Sequence, residues 1–347
     1  MITAKAIPAQ PVRWQQLWRD AVTDPLELLR LLDLSAMAAD LLPATDSGFS
    51  LRVPRGFIAR MRRGDPADPL LRQVLPHAAE LDDVAGFSAD AVGDIAARAS
   101  HGVLHKYHGR ALLIATGSCA INCRYCFRRH FPYAEETAAT NGWKQAIAYL
   151  RGEPSISEVI LSGGDPLSLS TPKLAELTQA LTDIAHIRRL RIHTRLPVVL
   201  PERVDAHFLD WLGALSLQRV VVLHANHPDE IDAKVVAACA ALRGAGATLL
   251  NQTVLLRGVN DNADTLVGLS ERLFDAGVLP YYLHQLDRVA GAAHFEVDDS
   301  RALALHDALR ERLPGYLVPR LVREVAGAPC KLPLGNEQSM AMRERFR

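Results

Sequence analysis

Apolar and polar positions alternate in two distinct rhythms along the chain. From about residue 13 to 100 the apolar residues recur at helical spacing, as in "WQQLWRDAVTDPLELLRLLDL" and "SADAVGDIAARA". Between these two stretches "RRGDPADPLLRQVLP" is dense in Pro and Asp and reads as extended or turn backbone. After residue 110 short aliphatic and β-branched runs take over: 111–116, 158–164, 189–195, 219–226, 248–256 and 279–286. Helical patterns such as "TPKLAELTQALTDI" and "DAKVVAACAALRGAG" separate them. The last five runs recur at about 30 residues, the length of a strand–helix unit. Such alternation predicts an α/β fold with a parallel sheet, and six units rather than eight predict a partial, open barrel. A closing strand is expected in 316–325. The domains expected are a helical region over 1–100, the barrel over 101–325 and a short C-terminal tail over 326–347.

The strand ends carry a second pattern. Polar residues stand at the C-terminal end of run after run: Ser162, Gly163, Gly164 and Asp165; His193 and Arg195; His224 and Asn226; Gln252; Gln285 and Asp287. In a parallel barrel that rim is where binding and chemistry are built. Strand ends are more polar than strand middles in any fold, but five such ends in succession favour function.

Composition narrows the classes. The 347 residues are 49% hydrophobic, and 39 Lys plus Arg balance 39 Asp plus Glu, so bulk charge gives no reason to expect a nucleic-acid or membrane-surface partner. No apolar run is long enough to span a bilayer, and the N-terminal stretch lacks the apolar core of a secretion signal. A cytoplasmic location is the expectation. Five cysteines, an odd number with three crowded together, argue against a disulfide framework.

Those three, Cys119, Cys123 and Cys126, form C-x3-C-x2-C directly after the first barrel strand. Structural zinc takes four ligands and leaves no vacancy. An iron–sulfur cubane held by three thiolates would leave one iron open to a non-protein ligand.

This spacing, with Tyr125 before the third cysteine, resembles the signature of the radical S-adenosylmethionine (SAM) superfamily. The resemblance implies a [4Fe-4S] cluster on Cys119, Cys123 and Cys126 whose open iron chelates SAM. Ser162, Gly163, Gly164 and Asp165 resemble the glycine-rich element that contacts SAM's amino group in that superfamily. "CRYCFRRHF", "VILSGGDPL", "RIHTRLPVVLPERV", "HANHPDEI", "NQTVLLRGVND", "PYYLHQLD" and "GAPCKLPL", taken in order, further resemble the lysine 2,3-aminomutases. This second resemblance covers about residues 101 to 335. It implies an isomerase that moves the amino group of L-lysine to the β-carbon with pyridoxal 5′-phosphate (PLP) as a further cofactor.

Within that family Lys331 matches the lysine that carries PLP, and Tyr107 and Arg110 match PLP contacts. His224 and Gln252 match SAM contacts, although a core histidine and a strand-end amide are the plain alternatives. Arg128 matches the arginine that grips the substrate carboxylate, while its neighbour Arg129 has no evident role. Asp287 and Glu324 match acidic residues that receive the distal ammonium of the substrate, with glutamate standing where longer members have aspartate. No cysteine follows Cys330, so the zinc-binding extension of longer members is not expected. The short chain is most similar to the branch that supplies β-lysine, in its R form, for modification of elongation factor P. That similarity implies a separate synthetase-like enzyme that attaches the product, and an external electron donor. Two alternatives stand beside this reading: an aminomutase for glutamate or another α-amino acid, and a non-catalytic zinc-binding partner of a modification pathway.

Overall fold

A computed structural model describes residues 13–45, 48–139 and 143–335. Ten strands form one sheet in strict chain order: β1 (Arg98–Ser100), β2 (Val103–Tyr107), β3 (Arg110–Thr116), β4 (Glu158–Gly163), β5 (Arg189–Thr194), β6 (Gln218–Leu223), β7 (Thr248–Val254), β8 (Leu279–His284), β9 (Arg320–Arg323) and β10 (Leu332–Pro333). β3 to β9 are parallel, whereas β1–β2–β3 and β9–β10 are antiparallel. The six expected strands and the closing strand are therefore present, and the partial barrel is observed.

Each parallel connection carries a helix: Lys144–Gly152, Thr171–Thr182, Ala206–Ala214, Ala233–Gly244, Ala263–Asp275 and Asp299–Arg312. Four of the six are capped by an Asp or Asn side chain that accepts a backbone N–H of the first turn: Asp205, Asp232, Asn262 and Asp298. The helices bury one stripe each, as Leu174, Leu177 and Leu181 do in the second. Of the strands beneath, β4 is the most deeply covered, with all six residues buried.

The amino-terminal region differs from its expectation in two places. The first helical stretch is two helices, Trp14–Arg19 and Pro25–Leu31, because Asp24 caps a new start at Pro25 and the proline cannot continue the old one. Residues 88–97 hold no helix, only turns that lead into β1. Asp90 accepts the N–H groups of Asp94 and Ile95 across Gly93, which sits at φ +68° with Ala326 packed where a Cβ would stand. The stretch 62–76, expected as turn, contains a short helix at Pro69–Arg72 capped by Asp68. The region packs into the same hydrophobic core as the barrel, from Trp14 and Phe57 through Val278.

The sheet is open. β1–β2 form one edge and β9–β10 the other, and a salt bridge from Lys106 on β2 to Glu324 just after β9 spans the gap (3.2 Å). Of the carboxy-terminal tail, residues 336–347 lie outside the described residues. Among the described residues no helix is long and apolar enough to cross a membrane.

Candidate active site

The loop after β3 carries the three cysteines, and it is bolted down from several sides. Arg124 donates to Glu80 through Nε (2.7 Å) and to Phe49 O (2.6 Å), and Arg129 donates to Glu80 Oε2 (2.7 Å). Glu80 and Arg124 are fully buried, so one carboxylate and two guanidiniums staple the loop to the amino-terminal region. Arg129, without a role in the sequence, is a structural clamp.

Cys119, Cys123 and Cys126 line one cavity of about 300 Å³, together with Arg128, Ser162, Gly163, Gly164, Asp165, His193, Arg195, His224, Gln252, His284 and Asp287. The five strand ends thus converge, although Gln285 turns away to Val297 O and Asp299. All five cysteines are free thiols. Burial, then the charges of Cys126, Asp165 and Cys123, push the Cys119 thiol well up. Burial, then Cys123, pushes Cys126 up to about 11. Among the described residues no set of three or more His, Cys, Asp and Glu side chains closes on a single ion. Three thiols on one cavity, two of them held up by burial, fit the donor set of a multinuclear iron–sulfur centre.

The glycine pair lines the cavity and also has a part in the chain's own packing. A Cβ on Gly163 would stand 2.5 Å from Thr116 O, and one on Gly164 would stand 2.5 Å from Ser118 O. The close approach is that of the chain to itself, and the N–H groups of Gly164 and Asp165 are bonded to Thr116 O and Ser118 O. The Asp165 carboxylate is likewise engaged, by the Thr194 hydroxyl (2.7 Å) and the backbone N–H groups of Leu167, Arg195 and Leu196. It ties the end of β4 to the end of β5. Further atoms on the cavity wall are free for a polar ligand: His193 Nε2, His224 Nε2, Gln252 Oε1 and His284 Nε2 are buried without hydrogen-bond partners among the described residues. Burial first, then neighbouring charge, lowers all three imidazoles, His224 to about 4, so they present neutral rings.

A chain of ion pairs leads from the cavity to the sheet's open seam. Arg128 donates through Nε to Asp94 Oδ2 (2.6 Å) and through Nη1 to Ser162 Oγ (3.0 Å). Asp94 also holds Lys106 (2.6 Å), Lys106 holds Glu324, and Glu324 accepts from Lys331 Nζ. The last contact has a simple origin. β10 pairs back on β9 with Leu332 opposite Arg323, so the preceding lysine falls opposite the following glutamate. Lys331 and Lys106 hold Glu324 far below the usual carboxylate range despite burial, the largest influence, which acts the other way.

Tyr107 and Arg110 face each other across the two-residue His108–Gly109 turn of the β2–β3 hairpin, with the Arg110 guanidinium 4.7 Å over the Tyr107 ring. Tyr107 is raised by burial and then by Glu324, which ties this pair to the Lys331 end of the seam. An amine, an aromatic face and a guanidinium gathered there fit PLP.

The two acidic candidates stand in opposite states. Glu324 holds two ammoniums of the chain itself. Among the described residues Asp287 makes no ion pair, and its Oδ1 is buried without a partner. Burial, then the charge of Glu324, raises its carboxyl to about 7. Arg128 lines the same cavity with its Nε and Nη1 already engaged by Asp94 and Ser162. Asp94 and Lys106 have no counterpart among the sequence-derived candidates.

The fold and site define a radical SAM architecture, and the model of the Radical SAM superfamily matches residues 113–267. The chain is 50% identical to L-lysine 2,3-aminomutase of Escherichia coli (strain K12) over 92% of its length and 94% of that protein. It is 46% identical to the protein of the same name from Haemophilus influenzae, over 94% and 98%. It is 32% identical to that of Clostridium subterminale, over 93% and 77%. The chain belongs to the L-lysine 2,3-aminomutase family of radical SAM isomerases. The [4Fe-4S] cluster and SAM follow from that superfamily.

Proposed function

We propose that this chain converts L-α-lysine to β-lysine with a cluster on Cys119, Cys123 and Cys126, SAM on the cavity wall and PLP on Lys331. When bound, the cluster and SAM supply abstraction of hydrogen from an unactivated C–H bond, and PLP supplies the π system across which nitrogen moves from the α- to the β-carbon. The protein binds, orients and keeps water out. Arg128, held by Asp94 and Ser162, presents a guanidinium to the substrate carboxylate. Asp287 receives the distal ammonium. Lys331 must exchange its Glu324 partner for PLP, and Glu324 remains paired with Lys106 when it does. The neutral His193, His224 and His284 offer polar contacts without adding charge beside the thiolates.

The observation that carries this reading is the coexistence on one cavity of three thiols, a buried guanidinium and a buried carboxyl that has no ion-pair partner among the described residues. A cationic side chain fits that vacancy, and a glutamate side chain does not. We further propose that the product is the R form and that it serves modification of elongation factor P. A synthetase-like enzyme would attach it, an external low-potential donor would reduce the cluster, and all of this would take place in the cytoplasm. The similarity to the short relatives supports this.

Anaerobic reconstitution with iron, sulfide, SAM and PLP, followed by chiral analysis of products from L-lysine and L-glutamate, tests the reading. β-Lysine from lysine and nothing from glutamate is expected. Bound zinc without sulfide, or no turnover of lysine in a fully loaded protein, would refute it.

A further inference from the structure

Arg195 is buried at the end of β5, where its own backbone N–H is held by Asp165. Its guanidinium reaches three groups. Nη1 donates to Cys123 Sγ (2.7 Å), and Nη2 donates to Gln73 Oε1 (2.6 Å) and Glu230 Oε2 (3.0 Å). Tyr125 and Phe57 cover it, with ring centroids 5.7 and 5.5 Å from its central carbon. Among the described residues it is the one cation hydrogen-bonded to a candidate cluster sulfur. Glu230 is fully buried behind it, and the carboxylate's other oxygen is held by the N–H groups of Asn226 and His227. The cation is therefore fixed in place and part-neutralised from the side away from the sulfur.

Hydrogen bonds and net charge at the ligating sulfurs set the potential of an iron–sulfur centre, and groups behind the ligands fine-tune it. We propose that the Arg195–Glu230 pair is a positioning device that sets the reduction potential of the cluster through Cys123. It rests on the proposed cluster ligation. The step it governs is the entry of one electron from a low-potential one-electron donor, here dithionite; no bond forms or breaks and no proton moves. A positive charge beside Cys123 favours the reduced state, and the carboxylate behind it opposes that effect.

The two halves of the pair predict shifts of opposite sign. Arg195→Gln should make the reduction equilibrium constant about tenfold less favourable, a midpoint about 59 mV more negative for a one-electron couple. Glu230→Gln should move the midpoint in the positive direction, and Arg195→Lys should fall between Arg195→Gln and the native protein. The measurement is an anaerobic redox titration of the reconstituted chains without substrate, read by electron paramagnetic resonance, with iron and sulfide analysed on the same samples. Arg195→Gln with full iron and an unmoved midpoint would overturn the proposal. Should Arg195→Gln retain no iron, Glu230→Gln decides: a midpoint unmoved or more negative overturns it. A native chain that assembles no iron–sulfur centre would instead sink the cluster ligation itself.

Discussion

Asp287→Asn is expected to stabilise the ligand-free protein while abolishing its reaction. The carboxyl is raised from 3.8 to about 7, by burial first and the charge of Glu324 second, against the opposing ammoniums of Lys331 and Lys106. A carboxyl raised in the folded state stays protonated there while it has ionised in the unfolded chain. Folding stability therefore falls as pH rises from about 4 to about 7 and stays low above that. A rise of about 3 pH units corresponds to about 4 kcal/mol. Water in the open cavity screens part of this, so we expect about 2 kcal/mol at pH 8. The asparagine amide carries no charge to lose, and the difference between the two proteins should grow from pH 5 to pH 8. Urea unfolding of the ligand-free chains at pH 5, 6, 7 and 8 measures it, and chiral analysis of β-lysine measures the cost to function. An Asp287→Asn protein that is less stable than the native chain at pH 8, or whose stability difference does not change with pH, would refute the argument. Full lysine turnover by it would refute the role of Asp287 as the ammonium acceptor.

Further predictions follow from the other buried charges. Lys331→Met should keep the iron–sulfur absorption and lose the absorbance of bound PLP along with turnover, whereas Cys123→Ala should lose the iron–sulfur absorption; the two spectra separate the two roles. Arg128→Lys keeps charge but forfeits a planar fork already pinned to Asp94 and Ser162, and should raise the KM for lysine about 10- to 100-fold, the worth of one or two charge-assisted hydrogen bonds. Glu80→Gln leaves Arg124 and Arg129 without their carboxylate and should lower unfolding free energy by about 3 kcal/mol in urea titrations.

What the sequence revealed, and what it hid, divides along the range of the interactions involved. The parallel strands were legible because each carries buried aliphatic or β-branched residues at short range, β4 above all, where all six residues are buried. β1, β2 and β10 escaped because they are short, antiparallel and at or next to the sheet edges, where charged residues such as Arg98 and Lys106 break the apolar pattern. The one signal for β2 was the His108–Gly109 turn between two apolar runs. The misread helix at 88–99 had helical spacing, but its backbone follows the Asp90 side chain and the packing of Gly93 on Ala326, which no local pattern encodes. In the site, groups contiguous in a motif were found. Those that act through distant partners were missed: Asp94 meets Arg128 from 34 residues away, and Lys106 meets Glu324 from 218.

That chain of distant partners bears on substrate choice. From Arg128 through Asp94, Lys106 and Glu324 to Lys331 the charges alternate, and each one is answered by its neighbour. Arg195 is answered by Glu230, and Arg129 by Glu80. Asp287 breaks the sequence: among the described residues it is a buried carboxyl on the cavity wall with no ion-pair partner. A site evolved only for stability would replace such a group, since burying it unpaired is costly and already pushes its carboxyl up to about 7. Its presence is intelligible if the missing cation arrives with the ligand. When a lysine side chain binds there, its ammonium should draw the carboxyl down from about 7, and the proton released should appear near neutral pH. Calorimetric titration of the PLP-loaded protein with lysine in buffers of different ionisation enthalpy reads that proton directly. Release of a proton by the native chain beyond that released by Asp287→Asn is the expected result; equal release by the two would show that Asp287 does not meet the substrate's charge.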